Sequence, residues 1–200
     1  MLIHPSYWLL KQLHAQLSDP NWFINIRAIV NLAPFTDNTG ATQKGGTRVV
    51  FNANIKLEGF KQTWETGLLS QLTALNNKSS DPANIYFGVN PRKSNLANKK
   101  DDIAGYVALY LDCDDNANFD KDHRLMQINF WHDIDFQVSF LVDSGHGYHP
   151  YWLLNKLVDN SKQDVLKKMV ALAGCKDKGN THDPTRVLRL PGFKNVKNWW

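Results

Sequence analysis

The stretch Tyr106-Val107-Ala108-Leu109-Tyr110-Leu111-Asp112-Cys113-Asp114 constrains this chain more than any other. It is apolar on both alternating sets until Asp112, which predicts a buried strand over Gly105 to Asp114. Side chains alternate along a strand, so Val107, Leu109, Leu111 and Cys113 share one face, while Asp112 and Asp114 follow Ala108 and Tyr110 on the other. Two carboxylates one pleat repeat apart at the end of a buried strand repel each other, and holding them there is costly unless a cation lies between them. Hard divalent ions such as Mg2+ or Mn2+ take carboxylate oxygens, and a pair at this spacing suits two ions about 3.5–4 Å apart. For an isolated D-x-D, a solvated strand end that caps the next helix is the plain alternative.

Charge is distributed unevenly around this strand. The chain has 23 Lys and Arg against 19 Asp and Glu, a net charge of +4 and a pI near 9.0, which permits nucleic-acid or nucleotide partners without demanding them. Yet Asp112, Asp114, Asp115, Asp120, Asp122, Asp133 and Asp135 face only Lys121 and Arg124 in their segment, whereas Arg186, Arg189, Lys194 and Lys197 close the chain with no acid among them. Two cysteines, Cys113 and Cys175, make neither a disulfide scaffold nor a zinc module. The only early apolar run, Tyr7 to Leu10, lacks the basic flank of a signal peptide, and no segment reaches the roughly 20 apolar residues of a membrane helix. The expectation is a soluble cytoplasmic protein with no membrane partner.

Periodicity supplies the coarse architecture. Helices are predicted over Pro5–Leu17, over Phe60, Trp64, Leu68, Leu72 and Leu75, over Lys121–Phe130 and over Gln163–Ala173. Strands are predicted over Ile24–Val30, Arg48–Asn52, Asn84–Val89, Phe136–Ser144 and His149–Leu154, with an extended tail from Val187. Thr36–Thr47 reads as a loop; its Gln43-Lys44-Gly45-Gly46-Thr47 lacks the order of a phosphate-binding P-loop. Strands and helices alternate without the beat of a doubly wound sheet, so the fold class is α+β or mixed α/β, centred on antiparallel pairing in one compact unit.

Two further constellations carry chemistry. Val142-Asp143-Ser144-Gly145-His146-Gly147-Tyr148-His149 reads as a hairpin turning through Gly145 to Tyr148, which would make Ser144 and His149 cross-strand partners. A histidine beside a hydroxyl and backbone N–H groups freed by Gly145 and Gly147 suits a triphosphate, although a plain turn with a solvated histidine gives the same letters. Asp183 precedes Pro184, which pushes its backbone to an extended form, and Arg186, Arg189 and Lys194 surround it; an Asx turn among surface charges is the simpler account. Arg92, in Asn90-Pro91-Arg92-Lys93, is a candidate phosphate contact on a turn.

Taken in order, Asp112-Cys113-Asp114, then Ser144-Gly145-His146-Gly147-Tyr148-His149-Pro150-Tyr151-Trp152, then Asp183, then Arg189-Leu190-Pro191-Gly192 resemble the archaeo-eukaryotic primase superfamily. The likeness is greatest to primase–polymerases of plasmids, viruses and CRISPR-associated loci. It covers roughly residues 84 to 197, with Tyr86–Arg92 resembling an upstream family segment. The resemblance implies an N-terminal α/β half, about 1–83, packed on a half resembling an RNA-recognition motif, about 84–200, within a single catalytic domain. It implies that Asp112, Asp114 and Asp183 ligate two Mg2+ or Mn2+ ions. Ser144, Gly145, Gly147, His149 and Arg189 would bind an NTP or dNTP, and Arg92, Arg186, Lys194 and Lys197 a single-stranded or primed DNA template. A helicase or CRISPR adaptation proteins are the implied partners, and the chain is expected to be a catalytic core cut from a longer protein. No cysteine-rich zinc element is present, a departure from many members. The rival readings are a rolling-circle nuclease using Tyr151 as nucleophile and a non-catalytic single-strand-binding module.

Overall fold

The structure is a computed structural model that describes residues 3–15, 17, 19–96, 99–114, 120–133, 137–165, 167 and 183–196. Lys197, Cys175 and most of the helix expected over Gln163–Ala173 lie outside those residues.

The first helix, α1 (Pro5–His14), begins where the sequence supplies its cap. The His4 ring accepts from the Ser6 N–H, Pro5 needs no N–H at that position, and Leu9, Leu10 and Leu13 are buried. Two strands follow, β1 (Phe23–Asn31) and β4 (Thr47–Lys56), joined through an exposed ribbon of β2 (Phe35–Thr36) and β3 (Thr42–Gln43). The ribbon lies in the stretch expected as a plain loop.

The next helical run is less regular than its periodicity predicts. It comprises α2 (Phe60–Thr63), a π-helical stretch at Trp64–Leu68 and α3 (Leu69–Asn76). Phe60, Trp64, Leu68 and Leu72 recur every four residues, and all are buried. On an α-helix a four-residue repeat drifts by about 40° per step. The wider π-turn rotates the other way and keeps the apolar residues on one line against the sheet.

The first sheet has the order β10-β5-β1-β4, antiparallel throughout, with β5 at Ala83–Gly88 and β10 at Val187–Arg189. Strands from beyond residue 83 therefore complete the sheet begun by β1 and β4. One face, with Ile24, Ile26, Ala28, Ile85 and Phe87, packs into the main core with α1 and the helical run.

The second sheet is built on β9 (Gly147–Val158). On one side it pairs with β6 (Tyr106–Tyr110) and β7 (Cys113–Asp114), on the other with β8 (Phe140–Asp143). Tyr110↔Tyr151 and Cys113↔Tyr148 belong to one register, so the predicted strand is a single ribbon interrupted at Leu111–Asp112. The interruption has a cause: Leu111 donates to the Pro150 carbonyl at 3.3 Å, and Pro150 has no N–H to return. Ala108, Tyr110, Val142 and Tyr151 join the main core, while Leu109, Leu111, Cys113 and Trp152 form a second cluster with Ile128 of α4 (Lys121–Asp133). The architecture is mixed α/β with antiparallel sheets, and no helix among the described residues is long and apolar enough to cross a membrane.

Candidate active site

The register that carries β6 into β7 sets Asp112 opposite His149. His149 Nε2 lies 3.1 Å from Asp112 Oδ1, and an Arg186 Nη2 donates to Oδ2 at 2.9 Å. The carboxylate is mostly enclosed. Burial on its own would raise its pKa, but the bonds and charges of His149 and Arg186 outweigh it and hold Asp112 down at about 2. Arg186 and the His149 N–H thus fill, at Asp112, the role that the carboxylate pair demands. Asp114 is half-buried on the same strand face, and its carbonyl accepts from Arg124 Nε of α4 at 3.0 Å.

A cavity of about 220 Å3 opens here, lined by Asp112, Asp114, Ser144, His149, Arg186 and Arg189 together with Tyr86, His146 and Asn195. Among the described residues are three larger hollows: two of about 410 Å3 contain a single carboxylate apiece, and one of about 390 Å3 is lined by Asp19 and Glu58 with no arginine beside them. Inside the smaller one, Ser144 Oγ and His149 Nδ1 are buried without a partner among the described residues. Buried polar atoms are ordinarily bonded, so two orphans on side chains that line one polar cavity set it apart as a candidate ligand site. With Nε2–H directed at Asp112, the His149 Nδ1 is left without a partner among the described residues.

The hairpin bearing Ser144 differs from its predicted register. Val142 pairs with His149 and Asp143 with Tyr148, and the Ser144 N–H donates to the Gly147 carbonyl, so the turn is Gly145-His146. Ser144 and His149 are not directly opposed. A slip of two positions keeps the strand face, so both still line the same cavity. The glycines serve the backbone. The Gly145 N–H is engaged by Asp143 Oδ1 at 2.8 Å and its φ of 95° is left-handed; a Cβ on Gly147 would lie 2.1 Å from the Cys113 carbonyl oxygen. Asp143 is itself held by Lys121 at 2.7 Å.

Arg189 reaches the cavity from β10. It is 9% exposed, bonds Asn84 Oδ1 and lies over the Tyr86 ring at 5.3 Å. Other expected residues are placed elsewhere. The Asp183 carboxylate closes an Asx turn, accepting from the Thr185 N–H and hydroxyl at 2.9 Å each, while its carbonyl accepts from the Tyr110 hydroxyl at 3.1 Å. Among the described residues no three His, Cys, Asp or Glu gather as a metal site. Arg92 has no exposed surface and exchanges both backbone hydrogen bonds with Phe23, so it is a core residue rather than a contact for DNA phosphates. Lys194 is exposed but lines the cavity at Asn76 and Lys78. Tyr151 has no exposure, and burial pushes its hydroxyl far above the ordinary tyrosine pKa, which disqualifies it as the nucleophile of a rolling-circle nuclease.

Sequence reasoning missed Arg124, Asn84, Tyr86 and Asn195 as parts of the site. Arg124 carried a signal, as a cation on the helix that follows the acidic strand end. Asn195 had none: its side chain donates to the Ser144 carbonyl at 3.0 Å across 51 residues of chain.

No protein-family description matches the chain, and no curated protein does. Among solved structures it is similar to the AEP domain of the cyanophage S-2L primase–polymerase, with a TM-score of 0.53 and 21% sequence identity, over 94% of this chain and 81% of that one. This chain therefore shares the overall fold of an archaeo-eukaryotic primase-type domain.

Proposed function

We propose that the chain is a metal-dependent, template-directed nucleotidyl transferase, acting as a DNA primase, a primer-extending DNA polymerase or both. The observation that carries this reading is the cavity itself, which holds two carboxylates on one strand face, two arginines and two buried polar atoms without partners.

The donor set bears on the metal directly. Asp112 and Asp114 carry hard oxygen donors on one strand face of one cavity and would fit a divalent ion such as Mg2+ or Mn2+, Asp112 by sharing oxygens now held by His149 and Arg186. The third expected ligand, Asp183, would have to release Thr185 to join them. When bound, such ions neutralise phosphate charge and acidify a hydroxyl nucleophile.

The chain's own residues supply the rest. In nucleotidyl transfer a 3′-hydroxyl oxygen bonds to the α-phosphorus, the bond to pyrophosphate breaks, and the hydroxyl proton is lost. Negative charge grows on the departing pyrophosphate, and preorganised cations at that end stabilise it. Arg186 and Arg189 line the cavity and would supply that charge, and His149 Nδ1 and Ser144 Oγ, which have no partner among the described residues, would be offered to phosphate oxygens. Arg124 anchors the main chain of Asp114, and Asn195 that of Ser144, so both groups are fixed before substrate arrives.

The deciding experiment is nucleotide incorporation on primed and unprimed DNA, with Mg2+, with Mn2+ and in excess chelator. Asp112→Ala and Asp114→Ala are each expected to abolish incorporation. Full activity in chelator, or a polymerising Asp112→Ala protein, would overturn the assignment. A protein that binds DNA and incorporates nothing would be a binding module.

A further inference from the structure

The face of the first sheet turned away from the helices carries a line of four side chains fixed by strand register. Arg189 of β10 is opposite Tyr86 of β5, Tyr86 is opposite Arg27 of β1, and Arg27 is opposite Asn52 of β4. Directly opposed residues in an antiparallel ladder project to the same side. Neighbouring strands are about 4.8 Å apart, so the line runs on the order of 14 Å. It starts in the catalytic cavity, which Arg189 and Tyr86 line, and ends at the exposed Asn52 on the edge strand.

The chemistry along this line is one-sided. The opposite face of the same strands is the apolar core. On this face the strands present no Asp or Glu, and asparagines such as Asn25 and Asn54 flank the line. Arg27 is half-buried, its Nε donates to Asn25 Oδ1 at 2.8 Å, and no carboxylate pairs with it among the described residues. Asn25 in turn donates to Asn52 and Asn54, so the amides are oriented as a set. An unpaired guanidinium suits a backbone phosphate, a half-buried tyrosine suits a base, and the exposed Asn52 amide, oriented by the buried Asn25, suits a base edge.

We infer that this line is the path of a single-stranded nucleic-acid template out of the catalytic cavity, with Arg27 on a phosphate, Tyr86 against a base and Asn52 at the exit. The word template rests on the function proposed above; the binding of a single strand does not.

The test is fluorescence anisotropy of a labelled oligo(dT), without nucleotide or metal, over a salt series. Arg27→Ala is expected to weaken binding several-fold and to lower the log–log salt slope by about 0.7, the loss of one phosphate contact on a single strand. Asn52→Asp keeps the acceptor for Asn25, places a negative charge at an exposed position and is expected to weaken binding similarly. Lys61→Ala, on the helical layer, is expected to bind as wild type does. A wild-type protein that binds no oligonucleotide, or Arg27→Ala and Asn52→Asp proteins with unchanged affinity and slope, overturns the inference. Incorporation assays on the same preparations separate the two readings. Loss of oligonucleotide binding in both variants, in a protein that incorporates no nucleotide, leaves the path standing and removes the polymerase.

Discussion

At the scale of single residues, Asp112 behaves differently from the repelled carboxylate that its spacing to Asp114 predicts. Its two oxygens are taken by His149 and Arg186, so removing it leaves a buried imidazole N–H and a half-buried guanidinium without their acceptor. Asp112→Ala is therefore expected to lower stability in metal-free buffer by on the order of 2 kcal/mol, read from the shift of a thermal melt. A melt at or above the wild-type temperature would restore the repulsion account. His149 has a proposed role separable from that of Asp112, because it lines the cavity and its Nδ1 has no partner among the described residues. His149→Ala is expected to weaken triphosphate binding roughly ten- to a hundredfold, the worth of one hydrogen bond to a charged group, in a titration with Mn2+ present. Unchanged nucleotide affinity would remove His149 from the phosphate site. The types and grouping of these residues were legible in the sequence, because strand alternation alone puts Asp112 and Asp114 on one face. The turn of the Asp183 carboxylate toward Thr185 was also legible, as an Asx turn before proline, and the structure shows that form.

Among the elements, β9 organises the site, since it pairs with β6 and β7 on one side and β8 on the other. Its first residue, Gly147, passes so close to β7 that a side chain has no room. Gly147→Ala is expected to cost about 2 kcal/mol or more by overpacking, with the loss visible in a denaturant titration; an unaltered midpoint would show that β7 can yield. The sequence announced this hairpin but not its register. Turn letters such as Ser-Gly-His-Gly allow more than one two-residue loop, and the choice goes with the aromatic pairing of Phe140 with Tyr151 farther along the strands. The π-turn at Trp64–Leu68 was legible only in hindsight, as a four-residue repeat too strict for an α-helix. Arg92 was misread because turn composition is a local signal, whereas its burial comes from packing against β1.

Over the whole molecule, stability toward acid divides into two pH windows. His14 is buried with Nδ1 on the Leu10 carbonyl at 2.9 Å, and desolvation, only partly offset by that bond, lowers its pKa from 6.5 to about 4. Between those values the unfolded chain binds a proton that the folded chain refuses. Stability is thus whole above pH 6.5 and declines as pH falls toward 4, by on the order of 3 kcal/mol. Asp112 contributes in a lower window, from about 4 down to about 2, where its folded pKa lies. Urea titrations at pH 7.5 and 5 are expected to show the first decline in the wild-type protein and to show it flattened in His14→Gln; an equal slope in both would place the loss elsewhere. The position of β10 has a consequence of another kind. Its three residues, Val187–Arg189, close a sheet whose other members were synthesised about a hundred residues or more earlier, and the same segment delivers Arg186 and Arg189 to the cavity. Until β10 has been made, then, Asp112 and His149 can meet while the arginine side of the cavity is missing. The cavity becomes whole only when Val187–Arg189 docks on β5, so a chain elongated no further than β9 has the carboxylate and histidine of the cavity without its arginines.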